Sequence, residues 1–144
     1  MASRDIYTNV DAVTDVSAAV ITSDTTATTV DMRGYESVVF VIDVGTAGDT
    51  LSATTKFDFK LTESSDDSTF TAVSDANDVI GATPDTNGTV LTVDADGEAG
   101  TVYQRGYVGG ERYLKLNIDV TGTHSNGTPI SIVAIKGHKY TAGE

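Results

Sequence analysis

Short segments in which apolar and polar side chains alternate residue by residue constrain the fold of this chain more than any other feature. In residues 54–62, Phe57, Phe59 and Leu61 alternate with charged side chains, and residues 112–121 repeat the pattern. Alternation with a period of two is typical of a strand with one buried and one solvent-facing side. No segment carries the apolar spacing of a long amphipathic helix. The sequence therefore predicts an all-β protein.

Turn-forming residues separate these segments at short intervals. Asn87-Gly88, Asn126-Gly127 and Asp96-Gly97 are typical of hairpin turns, because the favoured turns need positive φ angles. Segment 37–44 is apolar almost throughout, which predicts a central strand with both faces covered. The strands predicted between the turns are 18–22, 28–32, 37–44, 54–62, 70–73, 89–93, 101–107, 112–121 and 130–136. Strands of this number and length predict a single-domain two-sheet sandwich, with a jelly roll as the favoured topology.

The beginning of the chain is expected to lie outside the sandwich. Residues 1–15 are predicted as an extended N-terminal arm, with 6–10 as a short extended segment, and residues 16–144 as the sandwich domain. The arm is rich in Thr, Asn and Asp, so it could lie across a neighbouring subunit or add a strand to a sheet edge.

Charge and composition exclude several classes of protein. The 144-residue chain has 21 acidic and 9 basic residues, a net charge of -12, which argues against binding nucleic acid or an anionic membrane surface. It has no cysteine, which excludes disulfides, thiolate metal sites and a cysteine nucleophile. No apolar run approaches the roughly 20 residues that a membrane span needs. The N-terminus lacks the apolar stretch of a secretory signal, so synthesis in a host cytoplasm is expected.

The sequence offers no catalytic or metal-binding constellation. Its histidines, His124 and His138, are both expected in solvated loops, which does not suit a catalytic triad of nucleophile, histidine and acid. Residues 94–98 resemble the start of a calcium loop, but the glycine comes too early and the later ligands are missing, which favours a charged turn. We therefore expect no enzymatic activity, no cofactor and no metal.

Arginine and tyrosine occur close together at four places, although arginine is rare in this acidic chain. These residue types dominate the hot spots of protein–protein interfaces. The alternative is a structural role in tyrosine corners and strand-end packing. A carbohydrate platform is a third option, less favoured because the chain has no tryptophan. The candidate interface residues are Arg4 and Tyr7, Arg33 and Tyr35, Arg105 and Tyr107, and Arg112 and Tyr113.

Several of these positions belong to motifs that resemble a known group of proteins. The motifs are residues 5–10 (DIYTNV), 30–40 (VDMRGYESVVF), 59–67 (FKLTESSDD), 70–73 (FTAV), 104–109 (QRGYVG), 112–116 (RYLKL) and 134–138 (AIKGH). With them, the chain resembles small virion structural proteins encoded in the head-gene neighbourhood of tailed phages and prophages. Segments 44–53 and 79–99 are longer than expected for that group.

The resemblance implies a capsid decoration, or cement, protein on the outer surface of the virion head. Its partner would be the major capsid protein, to which it would bind as a homotrimer. Two alternatives remain: another virion component, in the tail or the head–tail connector, and a carbohydrate-binding β-sandwich module.

Overall fold

The computed structural model of the protein describes residues 4–140. Within that range the chain forms ten strands and two short 3-10 turns. The turns are Tyr7–Asn9 and Asp96–Glu98. The strands are β1 (Asp11–Ile21), β2 (Val30–Asp31), β3 (Tyr35–Val44), β4 (Lys56–Ser64), β5 (Thr71–Ala72), β6 (Val79–Ile80), β7 (Thr89–Val93), β8 (Thr101–Tyr107), β9 (Tyr113–Thr121) and β10 (Thr128–Lys139).

The strands form two antiparallel sheets that pack as a sandwich. Sheet A has the order β1-β10-β3-β8-β6. Sheet B has the order β2-β9-β4, and both β5 and β7 pair with the other edge of β4. The predicted all-β two-sheet sandwich is therefore confirmed.

The pairing is nested, so the chain is one long hairpin rolled into a sandwich. β4 pairs with β7, β3 with β8, β2 with β9 and β1 with β10, working outward from the middle of the chain. Successive pairs lie in opposite sheets, which is the eight-stranded jelly-roll arrangement. Segment 65–88, with the short strands β5 and β6, joins the two halves of the hairpin.

The start of the chain differs from the extended arm that its composition suggested. Residues 7–9 form a 3-10 turn, because the Asp5 carboxylate accepts a hydrogen bond from the Thr8 N–H and the Asn9 amide donates to the Asp5 carbonyl. Such local bonds from Asp and Asn stabilise turns rather than strands. The arm predicted for residues 1–15 also includes the first residues of β1, which pair with β10 from Asp11 onward. Residues 1–3 lie outside the described range.

The core lies between the inner faces of the two sheets. Phe40 and Ile42 of β3 and Phe57, Phe59 and Leu61 of β4 are 0% exposed. In β4, Phe57, Phe59 and Leu61 are buried as predicted and Lys56 and Lys60 are half-buried, but Asp58, predicted on the solvent side, is buried beside Lys56 and Thr92. β7 and β8 have the predicted bounds, and β9 begins one residue later than predicted.

The three predicted hairpin signals all lie between strands, but none of them closes a hairpin, because the strands on either side of each one belong to different sheets. At two of them the glycine alone has a positive φ. Gly88 and Gly127 have φ angles of 80° and 71°. Asp96-Gly97 is different: it lies in the second 3-10 turn, because the Asp96 carboxylate accepts a hydrogen bond from the Leu51 N–H at 2.7 Å. A long-range contact therefore decides the local conformation there, and the hairpin prediction was wrong for all three dipeptides.

A buried carboxyl group lies near the edge of sheet A. Asp15 of β1 is 1% exposed, and within the described range its carboxylate oxygens have at most a weak hydrogen bond, from the backbone N–H of Leu116. Burial disfavours the charged form and raises the pKa of Asp15 from 3.8 to about 8. The folded protein therefore holds a proton at this position at neutral pH.

We expect Asp15→Asn to stabilise the protein by an amount that grows with pH. The pKa of Asp15 is higher in the folded chain than in the unfolded chain, so the wild type loses stability as pH rises from about 4 to about 8. The asparagine side chain of the variant cannot ionise and has no such loss. The melting temperatures should be similar near pH 4 and should differ by more than about 4 °C at pH 8. A difference that is constant across this range would contradict the assignment.

Candidate protein-interaction site

Four of the eight candidate interface residues meet at one end of the sandwich. They are Arg33, Tyr35, Arg112 and Tyr113. Asp31 of β2 pairs with Tyr113 of β9, and the Met32 N–H donates a hydrogen bond to the Arg112 carbonyl at 2.8 Å. These contacts bring the β2–β3 turn beside the β8–β9 loop. We call this the tyrosine end, after Tyr35, Tyr107, Tyr113 and Tyr140. A depression of about 480 Å³ lies there, lined in part by Arg33, Tyr35, Arg112 and Tyr140.

Arg112 is held rigidly at this end. Its Nε and Nη2 atoms each lie 2.9 Å from a carboxylate oxygen of Asp31, a bidentate ion pair. Its guanidinium also lies 4.8 Å from the centre of the Tyr113 ring. The pKa of Asp31 is lowered to about 2, chiefly by its hydrogen bond from Arg112. The Arg112 side chain remains 44% exposed, so it presents a fixed guanidinium to solvent.

Lys136 packs beneath the surface of the same end. It was not among the candidate interface residues predicted from the sequence. Its side chain is 10% exposed, and its Nζ lies 3.0 Å from an Asp11 carboxylate oxygen and 4.9 Å from the centre of the Tyr35 ring. It also donates a hydrogen bond to the Asp31 carbonyl. The sequence could have shown that this side chain points inward, because Lys136 continues the inward positions of an alternating strand. A buried lysine needs such partners.

The remaining exposed candidates are Arg33, Arg4 and Tyr7. Arg33 is exposed, and its guanidinium has no ion-pair or hydrogen-bond partner within residues 4–140. Tyr7 is 89% exposed in the N-terminal turn, and Arg4 precedes it. Of the four predicted pairs, Arg112–Tyr113 is the one whose side chains stack in the described part of the chain. Arg33 and Tyr7 are thus free to contact a partner.

Arg105 and Tyr107 are used within the domain. Arg105 of β8 donates from Nε to the Val90 carbonyl of β7 at 2.7 Å, which ties sheet A to sheet B. Desolvation lowers the pKa of Arg105. Tyr107 is 1% exposed and donates its hydroxyl hydrogen to Glu63 at 2.6 Å, and burial raises its pKa. Both residues therefore have the strand-end packing role that was the structural alternative.

The environment of His124 differs from the predicted solvated loop. The ring is 5% exposed and lies 4.4 Å from the Phe57 ring, centre to centre. Its Nε2 is 3.0 Å from the Thr121 carbonyl, so Nε2 carries the hydrogen and donates. The turn folds back over the core, which a local reading of the sequence could not reveal. His138 is exposed, as predicted, but it lies in β10 rather than in a loop.

The opposite end of the sandwich carries only negative charge. Its loops, residues 22–29, 45–55, 94–100 and 122–127, contain five carboxylates and no lysine or arginine. We call this the acidic end. Glu98 accepts hydrogen bonds from the N–H groups of Asp94 and Ala95, so segment 94–98 is a charged turn that caps itself. In residues 4–140, no three histidine, aspartate or glutamate side chains come together as a possible metal site.

No protein-family model matches the chain, and no curated protein matches it in sequence. In the part of the chain that the structure describes, no helix is long and apolar enough to cross a membrane.

We expect Arg105→Ala and Arg33→Ala to separate structural from interface arginines. Arg105→Ala leaves the Val90 carbonyl without its charged donor and should lower the free energy of unfolding by about 1–2 kcal/mol. Arg33→Ala removes an exposed side chain and should change it by less than about 0.5 kcal/mol. Urea unfolding followed by circular dichroism measures both values. Equal losses in the two variants would contradict the role assigned to Arg105.

Proposed function

We propose that this protein is a structural component of a phage virion that binds the outer surface of the head shell and stabilises it. The observation that carries the proposal is the division between the two ends of the sandwich. Two exposed arginines, Arg33 and Arg112, and two half-buried tyrosines, Tyr35 and Tyr113, converge at one end, where Glu36 and Glu111 also lie. The loops of the other end contain five carboxylates and no lysine or arginine.

The tyrosine end is the part that would contact the shell. Tyr and Arg give large contact areas together with directed hydrogen bonds, and they are enriched among residues whose loss weakens interfaces most. Arg112 is already ordered by Asp31, so binding would cost little of its side-chain entropy. Tyr7 and Arg4 precede β1, which begins at the same end, where Asp11 pairs with Lys136.

The acidic end is the part that would face away from the shell. A protein with a net charge of -12 is poorly suited to the inside of a head filled with DNA, since like charges repel. Placed outward, the carboxylates of the acidic end would keep decorated particles apart in solution. The orientation thus turns the end whose loops contain no lysine or arginine away from the shell.

The resemblance of the 30–40, 104–109 and 112–116 motifs to small virion proteins of tailed phages supports the same role. These motifs include the residues that meet at the tyrosine end. A position in the tail or the head–tail connector would use the same surface on a different partner. A carbohydrate-binding module is the other alternative, because jelly rolls also occur among lectins.

We expect the purified protein to bind expanded capsids that lack it and to raise the temperature at which they fall apart. Arg33→Glu places a negative charge at the tyrosine end and should weaken binding at least tenfold without changing the fold. Thr123→Glu adds a negative charge to an exposed residue of the acidic end and should leave binding unchanged. Co-sedimentation with capsids gives the affinities, and differential scanning calorimetry gives the disassembly temperature.

Electron microscopy of decorated particles decides between the head and other positions. Density on the outer head surface, with the tyrosine end toward the shell, would support the proposal. Density at the tail or the connector, or inside the shell, would overturn it. Specific binding on a glycan array without binding to capsids would favour the carbohydrate-binding alternative.

We also expect deletion of residues 1–10 to weaken capsid binding more than it weakens the fold. The deleted segment ends just before β1, so every strand pair remains. It removes exposed side chains such as Ile6 and Tyr7, which are 74% and 89% exposed. The melting temperature should fall by less than about 4 °C, while the dissociation constant for capsids should rise at least tenfold. A truncated protein with unchanged affinity would show that the arm has no part in binding.

A further inference from the structure

The outer face of sheet A is an apolar surface with little charge. One row of neighbouring residues crosses all five strands and contains Ile80, Gly106, Val39, Ile135 and Ala12. The next row contains Gln104, Val41, Val133 and Thr14. Directly paired residues of antiparallel strands lie on the same face, so these side chains form one continuous surface.

The outer face of sheet B has a very different composition. Its outward positions on β4 and β9 include five charged residues, and several of them pair with each other, as in the ion pair between Lys60 and Asp119. These charged residues are Lys56, Asp58, Lys60, Lys115 and Asp119. The corresponding positions of β3, β8 and β10 in sheet A contain two, Asp43 near one end of the face and Lys139 at the other. Sheet B is therefore built to face water, and the middle of sheet A is not.

The described part of the chain does not cover this face. The sequence predicted that both sides of segment 37–44 would be covered, yet Val39 and Val41 are only half-buried. Ile80 and Val133 are 59% and 37% exposed. The N-terminal segment lies against the first row, and a groove of about 920 Å³ there is lined by Ile6 and Val10 and by Val39, Ile80, Gly106 and Ile135 of that row. Within residues 4–140 no second layer packs on the middle of the sheet, so the prediction that both sides of this segment are covered was wrong for the described chain.

We infer that the outer face of sheet A is buried against another copy of this chain. Two molecules that each carry a net charge of -12 repel each other over most of their surface. The outer face of sheet A, whose charged strand residues Asp43 and Lys139 lie toward its opposite ends, is where such a molecule can approach its own copy at the lowest electrostatic cost. A basic partner would instead be attracted to the acidic end.

The size of the face fits a stable contact between copies. Five strands spaced about 4.8 Å apart and seven residues of β3 at about 3.4 Å each give a projected area of roughly 500 Å². The corrugated surface has a larger accessible area than its projection, and Ile6 and Val102 extend it at the margins. Stable interfaces bury about 800 Å² on each partner. Exposed apolar patches of more than a few hundred Å² are rare in monomers.

The inference is tested by the oligomeric state of the purified protein without any capsid. Analytical ultracentrifugation should give a mass above that of one chain at micromolar concentration. Val133→Glu places a charge in the middle of the face and should raise the dissociation constant at least tenfold. Thr121→Glu makes a matched change on the outer face of sheet B and should leave it unchanged. The double variant V41T/V133T keeps the β-branched shape, so it guards against loss of folding, and should also weaken association.

The possible results separate this inference from the virion proposal. A wild type that is monomeric at 100 micromolar would overturn the inference, even if the protein binds capsids. Association that is equally sensitive to T121E and V133E, or insensitive to both V133E and V41T/V133T, would overturn it as well. Association lost in the sheet A variants but kept in T121E would support it, even if no capsid were bound.

Discussion

The structure depends on burying one side of each sheet, because a chain without cysteine has no disulfide that could cross-link its two layers. Phe40 and Ile42 from sheet A and Phe57, Phe59 and Leu61 from sheet B are removed entirely from water. Each such side chain contributes about 1.5–3 kcal/mol of transfer free energy. The nested pairing places strands from both halves of the chain in each sheet, so the core cannot form until the hairpin has closed.

Polar contacts then fix the ends of the sandwich. Arg105 joins the two sheets through the Val90 carbonyl, and Tyr107 joins them through Glu63. At the acidic end, Asp49 accepts hydrogen bonds from the backbone N–H groups of Asn126 and Gly127 and holds two loops together. Several charged residues in this acidic chain thus satisfy backbone groups at turns, where an unpaired donor would otherwise cost free energy.

The surface of the domain has separate regions with different chemistry. The tyrosine end presents fixed arginine and aromatic side chains, the acidic end presents carboxylates, and the middle of the outer face of sheet A is free of charge. A component of a repeated shell has to contact both the shell and its own neighbours, and several weak contacts then act together through multivalency. The two proposals place capsid binding at the tyrosine end and self-association on the outer face of sheet A, which Ile6 of the N-terminal segment borders. Capsid binding and association in solution are measured separately, so either proposal can fail without the other.

The sequence alone determined the strands whose side chains alternate. β4 and β9 follow from the alternation, and β7 and β8 have the predicted bounds, because a period of two is a local property of an extended chain. The inward position of Lys136 was also readable from that period. The sequence could also place arginines near tyrosines along the chain.

Only the tertiary structure decided which of those arginines are exposed and which are used internally. Arg105 and Arg112 have similar neighbours in sequence, yet one binds a carbonyl of the opposite sheet and the other pairs with Asp31, 81 residues away. His124 and Asp15 are buried for the same reason: distant strands fold over them. The local pattern fixes the direction in which a side chain points from its strand. Which residues pack against that side chain depends on how strands far apart in the chain come together.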